Sequence, residues 1–108
     1  MGEYLGNFEH LILLAIVRHR EMGYGLTIAD EIVTRTGRRI SIGAVYTTLD
    51  RLERKGLVDS VIEQGTTERD NRRRRRYHIT KDGLQALAET QNAVAAMSRG
   101  LRIRTQSR

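Results

Sequence analysis

Cysteine is absent from the 108 residues, so neither a disulfide nor a thiolate metal site can form, as suits a protein kept in a reducing cytoplasm. Long apolar runs are missing as well. Leu11 to Val17 falls far short of the roughly 20 residues of a membrane span, and it begins too late, behind the acidic Glu3, for a secretory signal. The chain is expected to be soluble, cytoplasmic and without membrane contact. Metal-ligand spacing is lacking too: His10, His19 and His78 are expected on separate elements, and His10 reads as a packing or surface histidine. Neither a nucleophile elbow nor a catalytic carboxylate pair is evident, and no Gly-Lys-Ser/Thr follows Gly23-Tyr24-Gly25 to make a phosphate loop. These absences argue against an enzyme and leave no cofactor to propose.

Lysine is scarce. Lys55 and Lys81 stand against 17 arginines, giving a formal charge of +6 and an isoelectric point near 10.5. Arginine's planar fork of donors grips phosphate or guanine with two prongs and fits narrow minor grooves, so the balance favours a polyanionic partner. A single domain of this length buries a modest share of its surface, and dimerisation would add to its stability.

What is present centres on Ile40 to Val58. Ser41 is a good N-cap and Gly56 a good C-terminal stop, marking a helix of roughly four turns. Val45, Leu49 and Leu52 recur at four and three residues as a narrow apolar stripe. Gly43, Tyr46, Thr47, Asp50, Arg51 and Arg54 point elsewhere. The first two turns carry Ser41, Gly43, Ala44, Tyr46, Thr47 and Thr48, small or hydroxyl-bearing residues that let a surface approach closely, as in a DNA major groove. An ordinary amphipathic helix with a weakly polar outer face accounts for the same residues.

Ahead of it, Asn7 is expected to cap a helix that is apolar nearly all round, and a second helix runs from about Leu26 to Thr36, ending at Gly37. Two helices joined by a short turn form a helix-turn-helix pattern. Beyond Gly56, Val58, Val61 and Ile62 read as a short strand, Glu63 to Asn71 as a polar loop, and Arg72 to Ile79 as a return strand with Tyr77 and Ile79 facing in. A hairpin directly behind a recognition helix is a wing. Here it carries five consecutive arginines, whose mutual repulsion calls for a counter-charge. Thr80 caps a last helix with Leu84, Leu87, Ala88, Gln91, Val94, Ala95 and Leu101 on its apolar side, for which a second copy of the chain is the expected mate. The fold class is mainly α with a β-hairpin. It divides into a winged helix-turn-helix domain (residues 1–80), a C-terminal dimerisation helix (81–104) and a basic tail (105–108).

Ile40-Ser41, Gly43-Ala44-Val45-Tyr46, Leu49, Arg51-Leu52-Glu53 and Gly56-Leu57-Val58, with Arg76-Tyr77 and Ile79-Thr80-Lys81-Asp82-Gly83, resemble the PadR family of bacterial transcriptional regulators. Leu11-Ile12-Leu13-Leu14-Ala15 and the Gly23-Tyr24-Gly25 turn match it too, so the similarity covers nearly the whole chain. It is similar to the short subfamily with a single C-terminal helix. The resemblance implies a winged-helix homodimer that represses promoters containing inverted repeats. It puts Ser41, Gly43, Tyr46 and Thr47 on the face that meets double-stranded DNA, Tyr46 through its hydroxyl to phosphate, and Arg74 and Arg76 on the wing. Thr47 stands where many members have proline and Asp50 where a basic or polar residue is common; Asp50 is expected to pair with Arg54.

The complete set of expected DNA contacts adds Arg51, Arg54 and Arg72. The expected dimer contacts are Phe8, Leu84, Leu87, Val94 and Leu101. Some short members hold flat apolar effectors between aromatic side chains of the last helix, but this chain has no Trp and no aromatic residue there. A smaller cavity lined by Phe8, Leu87, Val94 and Met97 is an alternative to a packed dimer core, and no small-molecule effector is identified. Competing functional readings are a winged-helix module that binds protein or RNA, and a non-specific DNA-binding protein.

Overall fold

The computed structural model describes residues 4–65 and 73–103. Its elements in chain order are α1 (Asn7–Arg18), α2 (Gly25–Thr36), α3 (Ile42–Arg54), β1 (Val58–Gln64), β2 (Arg73–Ile79) and α4 (Lys81–Ser98). Three helices, an antiparallel hairpin and a further helix make the winged-helix arrangement expected from the sequence.

The start of α1 differs from expectation by one residue. Gly6, not Asn7, is the N-cap, because Glu9 reaches back and accepts from the Gly6 amide at 3.0 Å. Ile12, Leu13, Ala15 and Ile16 are buried, with Leu11, Leu14 and Val17 packed beside them. His19 closes the helix, so two of the three histidines, His10 and His19, share this element instead of lying apart. The Nε2 of His19 lies 2.6 Å from Glu31 on α2, which also accepts from Arg35. Ile28 and Ile32 anchor α2 in the core, and Gly37, at φ +73°, ends it in the left-handed conformation that glycine tolerates best.

α3 forms as the sequence dictates. Ser41 Oγ accepts from the Ala44 amide at 3.0 Å, and Val45, Leu49 and Leu52 are fully buried. Thr48 is a correction: it is buried too, because at 100° per residue it sits only about 40° around the helix from Leu52.

The hairpin pairs Val58 with Ile79 through to Gln64 with Arg73. Glu63 and Gln64, expected in the loop, therefore belong to β1. Apolar alternation stops at Ile62, but Glu63 faces Arg74 across the ladder, and opposite charges extend the pairing where hydrophobicity does not. Tyr77 and Val58 enter the core, while Val61 and Ile62 remain exposed.

Thr80 joins wing to α4, accepting from the Gly83 amide at 2.9 Å and donating to the Gly56 carbonyl at 2.8 Å. α4 rests on the domain through Leu87 and Thr90, whose hydroxyl accepts from the Leu5 amide at 3.1 Å. It ends at Ser98, short of residue 104, with Gly100 at φ +84° just beyond. Leu101 consequently lies past the helix and not on its apolar side.

One carboxylate ties α1 to α3. Glu9 is 6% exposed and accepts from Lys55 Nζ at 2.9 Å and Arg51 Nε at 3.2 Å as well as from Gly6. Burial pushes its carboxyl upward, but Lys55, the Gly6 amide and Arg51 together outweigh that effect and hold it below the usual carboxylate range. A carboxyl depressed by folding contributes stability that is present above the unfolded value, about 4.3, and is lost as pH falls through the folded value. Glu9→Gln is therefore expected to lower stability by about 1–2 kcal/mol at neutral pH. Urea denaturation across a pH series should show that deficit shrinking below about pH 4.

Candidate nucleic-acid interface

Fixing the stripe of α3 inward fixes everything else on the helix. With Val45, Leu49 and Leu52 buried, helical geometry sends Gly43, Tyr46, Thr47, Asp50 and Arg54 to the opposite arc, and all five are exposed. Ser41 stands at the N-terminal rim, its hydroxyl committed to capping. Asp50 and Arg54 do not form the expected ion pair: among the described residues no bond joins them, and both remain directed outward.

Arg51 occupies a different side. It lies about 60° from Thr48 on the flank facing α1, where it meets Glu9 and, at 3.4 Å, Thr48 Oγ1. Helical geometry thus sets Arg51 about 140° around α3 from Tyr46, with which the sequence grouped it, and about 40° from Thr47.

Tyr46 is brought together with the wing. A groove of about 530 Å³ is lined by Met22 and Tyr24 from the turn before α2, Leu26 and Thr27 from its first turn, Tyr46 from α3, and Arg73, Arg74 and Arg75 from β2. The Tyr46 phenol rests directly on Gly25, where a Cβ would collide with the ring. A lining of two tyrosines and three arginines suits a polyanion's backbone, since arginine supplies charge and forked donors and the Tyr46 hydroxyl a further one.

The arginines of the hairpin are not equivalent. Arg76 is engaged by Glu63, which accepts from its Nε at 2.7 Å, and Arg75 donates to Ser60 Oγ at 2.8 Å. The Arg74 guanidinium carbon lies 4.6 Å from the centroid of the Tyr24 ring. Arg72 lies outside the described residues. The counter-charge expected for the arginine run is thus supplied in part by Glu63, whose own carboxyl is held below its usual range by the Tyr24 hydroxyl and then by Arg76.

The expected dimer contacts divide in the same way. Phe8 is half-buried against the core and Leu87 is buried within the domain, while Leu84 and Val94 are exposed on α4 at 41% and 57%. Met97, 80% exposed, and Val94 do not close a cavity over Phe8 and Leu87 within one chain. Sequence reasoning missed Tyr24, Met22, Leu26 and Thr27 as groove residues and Glu63 as an organiser of the wing. An aromatic residue between two glycines was the signal for Tyr24, read only as a turn.

A recognition helix and a basic wing sharing one groove define a protein of the DNA-binding regulator class. The model of the PadR-like family of transcriptional regulators matches residues 13–89. The transcriptional regulator Rv3488 of Mycobacterium tuberculosis is 40% identical over 76 residues, which cover 70% of this chain and 66% of that relative's length. Among solved structures, a PadR family regulator from Eggerthella lenta is 27% identical with a TM-score of 0.68, over 83% of this chain and 76% of that one. RosR of H. salinarum is 28% identical with a TM-score of 0.65, over 91% and 81%. The chain belongs to the PadR-like family of transcriptional regulators, a family of regulators and not of enzymes.

Gly25→Ala is expected to push Tyr46 out of the groove and lower duplex-DNA affinity about tenfold, an effect on the scale of removing one charge-assisted hydrogen bond. A Cβ at Gly43 meets nothing within 4 Å. Gly43→Ala should leave the fold intact and stabilise it by about 0.5 kcal/mol. Thermal melting and fluorescence polarisation on both variants check the pair.

Proposed function

We propose that this chain is a dimeric, sequence-specific repressor that places two α3 helices in successive major grooves of an inverted repeat, about 34 Å apart. The hairpins reach flanking phosphates or minor grooves, and occupancy of the operator blocks RNA polymerase. The observation that carries this reading is the groove in which Tyr46 of α3 and Arg73 to Arg75 of the wing face one another. On the helix, Gly43, Tyr46, Thr47 and Arg54 form the surface that enters DNA; on the wing, Arg73 and Arg74 supply charge. Arg51 acts indirectly here, through Glu9, by holding α3 to α1.

The dimer is built from α4. Its outer half presents Val94 and Met97 to solvent in the single chain, Val94 continuing the line of the buried Leu87 beyond the end of the domain. A second α4 covers it, and two-fold symmetry then sets the two α3 helices to match a palindromic site. A regulator of this kind works where the DNA is, in the bacterial cytoplasm.

Replacing Tyr46 and Thr47 by alanine should weaken specific binding more than binding to random duplex. Replacing Arg73 and Arg74 should weaken both and reduce the slope of log affinity against log salt by about 0.9 for each phosphate no longer neutralised. Titrations of an operator and a random duplex at several salt concentrations separate the two; equal losses on both duplexes from the Tyr46 and Thr47 changes would contradict the assignment of the recognition face. Val94→Asp with Met97→Asp should yield folded monomers whose operator affinity falls at least tenfold, read by light scattering and binding. These two positions are preferable to Leu87, which the single domain itself buries.

A further inference from the structure

The turn before α2 is bonded to the wing as well as to the helices. The Gly23 carbonyl accepts from the Tyr77 amide at 2.8 Å, and Tyr24 forms an isolated antiparallel bridge with Arg76. A Cβ on Gly23 would collide with the Tyr77 carbonyl, so backbone lies on backbone at a distance only glycine permits. From that seat the Tyr24 phenol extends along the hairpin. Its hydroxyl donates to Glu63 Oε1 at 2.5 Å, the other Glu63 oxygen holds Arg76, and Arg74 stacks over the ring. One side chain of the helix-turn-helix thus gathers residues from both strands.

We propose that Tyr24 is the positioning residue of the wing, fixing the hairpin against the helix-turn-helix and holding Arg74 over the groove opposite Tyr46. The proposal rests on the groove being the DNA-binding face. A two-stranded hairpin is marginal in water on its own, and consecutive arginines make it less stable. Tyr24 offsets this twice: its hydroxyl helps Glu63 neutralise Arg76, and the negative face of its ring accepts the Arg74 cation. Tyr24 acts through the arginines and does not need to touch DNA.

Tyr24→Phe removes the hydroxyl and keeps the ring beneath Arg74; Tyr24→Leu removes both. Two measurements on the full chain decide the matter: hydrogen exchange of free protein, and affinity for a mixed-sequence duplex of about 30 base pairs across a salt series. Tyr24→Leu should speed exchange of the β1 and β2 amides about tenfold while leaving α1 within about twofold, weaken binding about tenfold, and reduce the salt slope by about 0.9. Tyr24→Phe should give about a threefold change in wing exchange with an unaltered slope. Unchanged wing exchange in both variants overturns the proposal, whether or not affinity falls; a fall alone would make Tyr24 a direct DNA contact. If the unaltered protein does not bind duplex, the groove reading fails while the exchange measurement still tests Tyr24. Normal binding by Tyr24→Leu with normal exchange overturns the positioning role and leaves the groove reading standing.

Discussion

The rotation of α3 about its own axis is the constraint on which the rest depends. Burial of Val45, Leu49 and Leu52 contributes about 1.5–3 kcal/mol for each side chain, and no other rotation of the helix buries all three. That choice sends Gly43, Tyr46, Thr47 and Arg54 outward together. It also turns Thr48, Arg51 and Lys55 toward α1, where Glu9 accepts from both cations. The exposed arc of α3, proposed to meet DNA, and the internal ion cluster are two consequences of one hydrophobic stripe.

Two glutamates then divide the chain's excess of positive charge. Glu9 holds Arg51 and Lys55 in structural bonds between helices, and Glu63 holds Arg76 within the wing. What is left toward the groove is Arg73 and Arg74, with Arg75 bonded to Ser60 at its edge. The cations behind the net charge of +6 thus serve two ends, some bracing the fold and others facing the groove. The arginines bonded inside the protein have fixed positions, and a fixed wing presents the others at a defined spacing from Tyr46. Ordering of this kind lowers the entropy that a flexible basic arm would lose on binding.

Elements governed by local signals were legible in the sequence. Ser41 at an N-cap, Gly37 and Gly56 at helix ends, and the four-three spacing of α3 each act within a few residues, and all stand as read. What escaped depended on partners distant in sequence. Glu63 looked like loop because its strand is extended by Arg74 and its carboxylate is engaged by Tyr24, 39 residues away. The bond of Arg51 to Glu9, 42 residues earlier, left no mark in the pattern around Arg51. Leu101 continued the apolar spacing of α4, but the backbone turns extended at Arg99 and left-handed at Gly100, so the helix has ended before it. Exposure of Val94 and Met97 is the opposite case, since the spacing that predicted an apolar face also predicted that a single chain cannot cover it.

Whether two copies of the α3 surface, flanked by two wings, read one DNA site by sequence is tested most directly by selecting bound duplexes from a random pool. Near-physiological salt during the selection and sequencing of what is retained are both required. Enrichment of an inverted repeat whose half-site centres lie about one helical turn, 10–10.5 base pairs, apart is the predicted result. A pool retained without enrichment and released as salt rises would contradict it, showing that the arginines bind charge alone.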